Sequence, residues 1–250
     1  MIFDICELNK ISDDTNIWGG KAVSICKLMN NGFRVPKGIV LSTKVFDKYQ
    51  SKTLIINSLE EELNRICKDF FNCNNCGLII RSSANIESGK EYSCCGIFDT
   101  YVYNPSFSIT HYVKKVWDSA YSNFAIDYCN KINYPSCKIK MGVIIQEIYI
   151  GDYNAVIQTH DIVNNKNRIV LEYKSGDIDS VVNGFVDANT VFIDYEQSNS
   201  KSFSDAVLKK RIICQLINDC YKAEKVFNSH VELEAQIHNN NIFYVQAREI

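Results

Sequence analysis

The stretch HVELEAQIHNNNIFYVQAR, residues 230–248, alternates apolar and polar side chains on both sides of a short asparagine run. Alternation with a period of two is typical of a β-strand with one buried face. Asparagine tolerates the left-handed backbone of tight turns, so residues 239–241 predict a three-residue hairpin loop with one left-handed residue. The apolar side chains are expected on one face of this hairpin: Val231, Leu233, Ala235, Ile237, Phe243, Val245 and Ala247. The opposite face is expected to be polar: Glu232, Glu234, Gln236, Tyr244, Gln246 and Arg248.

The register of this hairpin decides which polar residues meet. With the three-residue loop, Glu234 lies opposite Gln246 and Glu232 lies opposite Arg248. Directly opposed residues have Cβ atoms about 5 Å apart. A carboxylate and an amide oxygen at that separation can share a hard divalent cation, with a guanidinium beside them to hold phosphate. Cross-strand charge pairs are common, so this segment alone favours an ordinary hairpin with one salt bridge.

Composition excludes several classes of protein. The chain has 250 residues, 46% of them apolar and 22% charged, enough for one large domain or two small lobes. Its net charge of −2 gives no basic surface for nucleic acid. No apolar run reaches the about 18–20 residues that cross a membrane, and residues 1–10 (MIFDICELNK) do not form a secretory signal. We therefore expect a cytoplasmic protein without nucleic-acid or membrane partners.

The eleven cysteines suggest neither a disulfide framework nor a zinc site. Their number is odd and no export signal is expected, which argues against disulfides. Cys73 and Cys76 form one CxxC pair, but the second pair of a zinc ribbon is missing. Most of the cysteines are expected to be small buried apolar residues.

Local patterns predict a helix-rich first half and a sheet-rich second half. Helices are expected at residues 21–31, 42–49, 54–71, 106–130 and 204–227. Strands are expected at residues 38–41, 77–81, 97–103, 141–148, 154–160, 168–174, 181–186 and 190–195. This division predicts one lobe at residues 1–145 and another at residues 146–250, with residues 146–152 (QEIYIGD) crossing between them. Ligands often bind where lobes meet.

Three further segments are candidates for phosphate binding. Gly19 and Gly20 precede Lys21 at a helix start, where a backbone can approach a ligand and exposed amides attract anions. Arg81 ends an apolar strand and offers a fork for phosphate oxygens. Residues 93–100 (SCCGIFDT) follow a polar loop that could cover phosphates. Each segment alone also fits a structural alternative: a surface turn, an ion pair or a plain loop.

Taken in order, five stretches resemble the ATP-binding domain of the phosphoenolpyruvate synthase and pyruvate phosphate dikinase family, which includes rifampin phosphotransferase. They are residues 19–46 (GGKAVSICKLMNNGFRVPKGIVLSTKVF), 79–88 (IIRSSANIES), 93–104 (SCCGIFDTYVYN), 141–161 (MGVIIQEIYIGDYNAVIQTHD) and 231–250 (VELEAQIHNNNIFYVQAREI). The resemblance implies an α+β fold of the ATP-grasp type. Its two lobes, helix-rich at the N-terminus and sheet-rich at the C-terminus, would enclose ATP.

The resemblance also implies a site for ATP and Mg²⁺. Three basic residues are expected to contact phosphate and so to be catalytic: Lys21, Arg81 and Arg248. The glycine-containing loop over the phosphates comprises Gly96, Ile97, Phe98, Asp99 and Thr100. The residues expected to bind the edge of the adenine ring are Gln146, Glu147 and Tyr149. The Mg²⁺ ligands are Glu234 and Gln246.

The function implied is that of an ATP-dependent phosphotransferase. The chain would be the ATP-binding half of a dikinase-like system, which passes phosphate from Mg·ATP to a histidine on a separate swivelling domain. No histidine of this chain lies in the family's Thr-x-His-x-Ala type of motif, so the phosphohistidine carrier is expected in trans or outside this sequence. Two alternatives stay open: a stand-alone kinase or ligase acting on a small molecule, and a non-catalytic nucleotide-binding module.

Three departures from the family's patterns bear on activity. The phosphate loop has Cys94 and Cys95 where Phe-Ala is usual, and residues 176–179 (GDID) lack one glycine of Gly-x-Gly-Glu. Residues 159–162 (THDI) replace Thr-Arg-Asp/Asn-Pro, so a charged contact is either lost or made titratable at His160. These changes favour the non-catalytic alternative.

Overall fold

The computed structural model describes residues 3–71, 77–88, 96–149, 151–176, 188–194 and 208–250. The chain divides into two compact units. The first unit contains Met1–Cys26 and Pro36–Ile148, and the second contains Lys27–Val35 and Tyr149–Ile250. The boundary expected between residues 145 and 146 falls inside a strand of the first unit, Met141–Ile148.

The first unit is built on a five-stranded antiparallel sheet with the strand order β1-β2-β5-β3-β4. Its strands are β1 (Ile5–Glu7), β2 (Gly38–Leu41), β3 (Gly77–Ala84), β4 (Thr100–Val102) and β5 (Met141–Ile148). The helices described before the end of β5 are α1 (Thr15–Trp18), α2 (Gly20–Asn30), α3 (Thr43–Gln50), α4 (Ile56–Phe70), α5 (Ile109–Ser119) and α6 (Asn123–Lys131). One face of the sheet packs against α3 and α5, and Phe46 and Trp117 are fully buried there.

The long helix expected at residues 106–130 is two helices, α5 and α6. Ser122 ends the interruption between them, and its Oγ accepts a hydrogen bond of 3.1 Å from the Ala125 backbone N–H. Serine at this position satisfies an amide that the first turn of a helix leaves without a partner. Of the apolar residues spaced along this segment, Val113 and Trp117 are buried in the core, whereas Phe124 is 62% exposed.

The second unit is a five-stranded antiparallel sheet with the order β10-β9-β6-β7-β8, covered on one face by a helix. Its strands are β6 (Tyr153–Gln158), β7 (Arg168–Ser175), β8 (Asn189–Asp194), β9 (Val231–His238) and β10 (Asn241–Glu249). Helix α7 spans Lys210–Phe227, so the described part of the helix predicted at residues 204–227 starts at Lys210. Residues 204–207 and the strand predicted at residues 181–186 lie outside the described residues.

The α+β class is confirmed: each unit has a five-stranded sheet, and most of the described helices belong to the first unit. The cysteines within the described ranges are free thiols, and four of them are buried: Cys26, Cys67, Cys129 and Cys220. Cys73 and Cys76 lie outside those ranges. Among the described residues, no helix combines the length and the apolar character needed to cross a membrane.

Candidate functional site

The terminal hairpin turns on two residues, not three. Asn239 and Asn240 both have positive φ angles, 50° and 60°, and His238 pairs directly with Asn241. The prediction of a three-residue loop with one left-handed residue was therefore wrong. A two-residue turn with both residues left-handed matches the right-handed twist of the flanking strands, and asparagine is one of the few residues that accept this conformation.

A β-bulge in β10 compensates for the shorter turn. Tyr244 pairs with Ala235, the register then shifts by one residue, and Gln246 pairs with Glu234. The predicted opposition of Glu234 to Gln246 is confirmed, as is that of Glu232 to Arg248. Because successive side chains of a strand point to opposite faces, the extra residue of the bulge moves the side chains before it to the face opposite to the one predicted.

Tyr244 and Phe243 consequently lie on the faces opposite to those predicted. Tyr244 is buried in the core of the second unit, and its hydroxyl donates a hydrogen bond of 2.7 Å to Asp219 Oδ2. Burial, reinforced by the nearby Asp219 carboxylate, raises the pKa of Tyr244. Phe243 pairs with Gln236 and stands on the polar face.

Arg248 and Glu232 form an ion pair with two hydrogen bonds. Arg248 Nε lies 2.8 Å from Glu232 Oε1, and Arg248 Nη2 lies 3.1 Å from Glu232 Oε2. Gln158 on β6 donates a third bond, of 2.9 Å, to Glu232 Oε2. The Glu232 side chain is 8% exposed and that of Arg248 is 25% exposed. This carboxylate therefore orients the guanidinium and compensates its charge at the edge of the polar face.

Glu234 and Gln246 occupy the next row of the same face, and both are half-buried. Val156 is the neighbour of Glu234 on β6 and pairs in turn with Glu172 on β7. The described residues contain no group of three or more His, Cys, Asp or Glu side chains suited to a metal ion. Mg²⁺ usually takes only one or two protein carboxylates and fills its sphere with water and phosphate oxygens. The donor set of Glu234 and Gln246 fits that mode of binding.

Tyr149 belongs to an aromatic cluster of the second unit. Its backbone N–H donates a hydrogen bond of 3.3 Å to Gln236 Oε1. Its ring stacks on Phe243 with centroids 4.4 Å apart and lies 6.0 Å from the His238 ring. The Arg34 guanidinium lies 5.6 Å from the centroid of Phe243. Flat aromatic surfaces of this kind can stack with a nucleobase.

In the first unit, Arg81 faces Gln146 across adjacent strands. Arg81 Nη1 lies 3.5 Å from Gln146 Oε1, and Gln146 Nε2 donates a hydrogen bond of 3.1 Å to the Pro36 carbonyl. Both side chains are buried. Glu147 is also buried, and its backbone N–H donates to the Lys37 carbonyl at 2.9 Å. The structure thus brings one phosphate candidate next to one adenine candidate.

Lys21 contacts two residues that sequence reasoning missed as partners. Its Nζ lies 3.3 Å from Ser82 Oγ and 3.3 Å from Glu87 Oε1. The side chains of Lys21 and Glu87 are only 11% and 7% exposed. Glu87 comes five residues after Ser82, in a 3-10 turn at Asn85–Ser88 that no periodic pattern announces. The sequence therefore carried no direct signal for this contact.

The first glycine of the Gly-Gly-Lys segment is required by packing. Gly19 has a φ of +79°, and a Cβ atom there would lie 1.8 Å from the Ser83 carbonyl oxygen. Ser83 Oγ accepts a hydrogen bond of 2.9 Å from the Ala22 N–H and donates one of 2.9 Å to the Trp18 carbonyl. The close approach that we expected toward a ligand is made to strand β3.

Residues 96–100 are only partly exposed. The side chains of Ile97 and Phe98 are buried in the core of the first unit, and the strand predicted at residues 97–103 starts only at Thr100. Gly96 and Asp99 are exposed. Thr100 pairs with Arg81 across β3 and β4. Cys94 and Cys95 of the same predicted loop, together with residues 177–179 of the altered glycine segment, lie outside the described residues.

Comparison with known proteins gives consistent matches. Residues 52–250 match the family described as "Pyruvate phosphate dikinase, AMP/ATP-binding domain". A probable phosphoenolpyruvate synthase of Methanothermobacter thermautotrophicus is 27% identical over 75% of this chain and 33% of its own. An uncharacterized phosphotransferase, YvkC of Bacillus subtilis, is 20% identical over 95% of this chain and 34% of its own. The chain therefore spans about a third of the length of these relatives.

Among solved structures, an L-amino acid ligase from Bacillus licheniformis aligns with 94% of this chain and 43% of its own. The sequence identity is 12% and the TM-score is 0.46.

Proposed function

Because the chain belongs to the family of pyruvate phosphate dikinase AMP/ATP-binding domains, we propose that it binds Mg·ATP and supplies phosphate in an ATP-dependent phosphotransfer. The observation that carries this proposal is the polar face of the terminal hairpin. There Glu234 pairs with Gln246, and Arg248 is oriented by Glu232 in the adjoining row. A carboxylate and an amide oxygen can bind Mg²⁺, and a guanidinium held in a fixed orientation can bind phosphate.

The remaining candidates are assigned roles within this proposal. Lys21 and Arg81 contact phosphate oxygens, and Arg248 faces the transferred phosphate. Phosphoryl transfer needs little covalent chemistry from the protein, so its catalysis depends on positioning and on neutralising charge. Glu234 and Gln246 would hold Mg²⁺, which when bound would neutralise part of the charge on the phosphates. The buried surroundings of Lys21 and Arg81 strengthen their interaction with an anion.

Adenine is assigned to Gln146, Glu147 and Tyr149. The ring of Tyr149, already stacked on Phe243, offers a flat apolar surface. The backbone of residues 96–100 is assigned to the phosphates, since the side chains of Ile97 and Phe98 are committed to the core.

The phosphate acceptor in this proposal is a histidine on a separate domain or chain. The relatives named phosphoenolpyruvate synthase and phosphotransferase support transfer of a phosphoryl group. The chain covers about a third of their length, which leaves room in those proteins for further domains. The expected products are AMP, inorganic phosphate and a phosphohistidine.

Product analysis tests this assignment. The chain is incubated with Mg·ATP, alone and with candidate histidine-bearing domains, and nucleotides are separated by chromatography. We expect AMP to form only when the acceptor domain is present. ADP as the sole product would contradict the dikinase assignment, and turnover by this chain alone with a small-molecule acceptor would support a stand-alone kinase or ligase.

A non-catalytic nucleotide-binding module is the second candidate, favoured by the departures from the family's sequence pattern around Cys94 and Gly176. This candidate predicts ATP binding without turnover for every acceptor domain tested. A turnover that Glu234→Ala and Lys21→Ala abolish without unfolding the protein would contradict it.

A further inference from the structure

Glu87 lies beside the phosphate candidate Lys21 in a largely buried ion pair. Its Oε1 faces both Lys21 Nζ and Ser82 Oγ at 3.3 Å. Its Oε2 accepts a hydrogen bond of 2.7 Å from the Ala84 backbone N–H. We propose that Glu87 is a positioning residue, which fixes the ammonium of Lys21 for contact with the β- and γ-phosphates of ATP. This inference rests on the proposed ATP-binding function and deepens it.

The direction of the Glu87 carboxylate is set by the backbone. The 3-10 turn Asn85–Ser88 follows β3 immediately and folds Glu87 back toward the last residue of that strand. The bond from the Ala84 N–H then leaves Oε1 pointing at Lys21. A carboxylate anchored through one oxygen presents the other in a fixed direction. The lysine therefore meets a rigid partner.

The number of N–H donors on the Lys21 ammonium leaves one for a ligand. An ammonium group has three N–H donors. Two of them meet Glu87 and Ser82, so the third can be donated to a phosphate oxygen. Lysine has a long flexible side chain that loses rotamer freedom when it binds. Ordering Lys21 in advance reduces that loss and so favours phosphate binding.

Glutamine cannot replace Glu87, even though it has the same shape. Both the Ala84 N–H and the Lys21 ammonium need an oxygen acceptor at this position. A carboxylate supplies two acceptor oxygens, whereas a carboxamide supplies one oxygen and one NH₂ donor. In the Glu87→Gln variant the NH₂ group would face a donor on one side. The variant must therefore lose either the backbone anchor or the contact with Lys21.

The test measures the affinities of the protein for ATP and for AMP, with Mg²⁺, by calorimetry. AMP lacks the β- and γ-phosphates and so reports binding that does not depend on Lys21. We expect Glu87→Gln to weaken ATP binding about tenfold, as loss of a charge-assisted contact does, and to leave AMP binding unchanged. In a Lys21→Met background the same change should have no further effect, since coupled residues are not additive.

Glu62→Gln is the matched control, because Glu62 is likewise a largely buried carboxylate in an ion pair: it lies 3.0 Å from Arg65 on helix α4, and its side chain is 13% exposed. It should leave both affinities unchanged. Glu87→Asp keeps two acceptor oxygens on a shorter stem, and we expect a smaller loss that is again specific to ATP. That variant carries the test if Glu87→Gln does not fold.

Equal weakening of ATP and AMP binding by either variant would overturn the inference, because it would indicate a purely structural role. Unchanged or tighter ATP binding in Glu87→Gln, with Lys21→Met still defective, would overturn it as well. In that case the proposed function stands, since Lys21 still binds phosphate. Absence of ATP binding by the unmodified protein would overturn the proposed function together with the inference.

Discussion

At the residue scale, Gly19 illustrates how packing can produce a segment that resembles a ligand-binding loop. Its positive φ and its approach to the Ser83 carbonyl both exclude a side chain. This close approach places the start of α2, and with it Lys21, in contact with β3. The glycine thus acts on the candidate phosphate site through the position of the helix.

Gly19→Ala is expected to lower the free energy of unfolding by about 2–3 kcal/mol, since the new Cβ would overlap a backbone carbonyl. Gly32→Ala is the control. Gly32 also has a positive φ, +71°, but a Cβ there would meet only Lys222 Nζ at 3.6 Å. Its expected loss is about 1 kcal/mol, from the backbone conformation alone. Urea denaturation measures both, and equal losses would contradict the packing argument.

Single residues were predictable where their chemistry is local. Lys21 and Arg81 were identified from their places at a helix start and at the end of an apolar strand; strand β3 continues past Arg81 to Ala84, and the roles of both residues remain predictions. Glu87 was not identified, because its contact depends on how a 3-10 turn folds back on β3. Such a contact leaves no periodic trace in the sequence.

At the element scale, the terminal hairpin combines two deviations that cancel. The turn is one residue shorter than predicted, and a bulge adds one residue to β10. The pairing of Glu234 with Gln246 is therefore the predicted one, although Tyr244 and Phe243 exchange faces. Alternation of side chains identifies strands and pairing partners, but it cannot locate a bulge when both faces carry large residues.

The β6–β7 hairpin has a charge cluster at its tip. Asp161 accepts hydrogen bonds from the Asn164 backbone and side chain at 3.0 and 2.9 Å. Arg168 Nε and Nη2 lie 2.8 and 2.6 Å from Asp161 Oδ2. Burial alone would raise the pKa of Asp161, but the bonds from Asn164 and the bonds and charge of Arg168 outweigh it and lower the pKa to about 2.

This shift predicts how stability depends on acid. The folded pKa of Asp161 lies below its ordinary value of 3.8. The group therefore stabilises the fold fully above about pH 4, and this contribution disappears as the pH falls toward 2. Asp161→Asn should flatten the fall in unfolding free energy over that range, as measured by denaturation at several pH values. Asp69→Asn, at an exposed position, should leave this fall in unfolding free energy unchanged. The same dependence of unfolding free energy on pH in the unmodified protein and in both variants would contradict the assignment.

At the scale of the whole molecule, each unit has its own hydrophobic core. The predominance of helices in the first unit was predicted from periodicity alone. The assignment of Lys27–Val35 to the second unit was not. Phe33 packs edge-on against Tyr244 with centroids 5.3 Å apart, and the Tyr244 N–H donates to the Arg34 carbonyl at 2.8 Å. Contacts so distant in sequence cannot be derived from local patterns.

The central proposal for the whole chain is the binding of Mg·ATP through Glu234 and Gln246. Calorimetry with ATP, with and without Mg²⁺, tests it most directly in the unmodified protein, in Glu234→Ala and in the exposed control Glu61→Ala. We predict that ATP binding depends on Mg²⁺ and that Glu234→Ala weakens it tenfold or more, where each factor of ten corresponds to about 1.4 kcal/mol. Glu61→Ala should leave the affinity for ATP unchanged, and neither variant should change the thermal unfolding curve. ATP binding that is independent of Mg²⁺, or that survives Glu234→Ala at full affinity, would contradict the proposal.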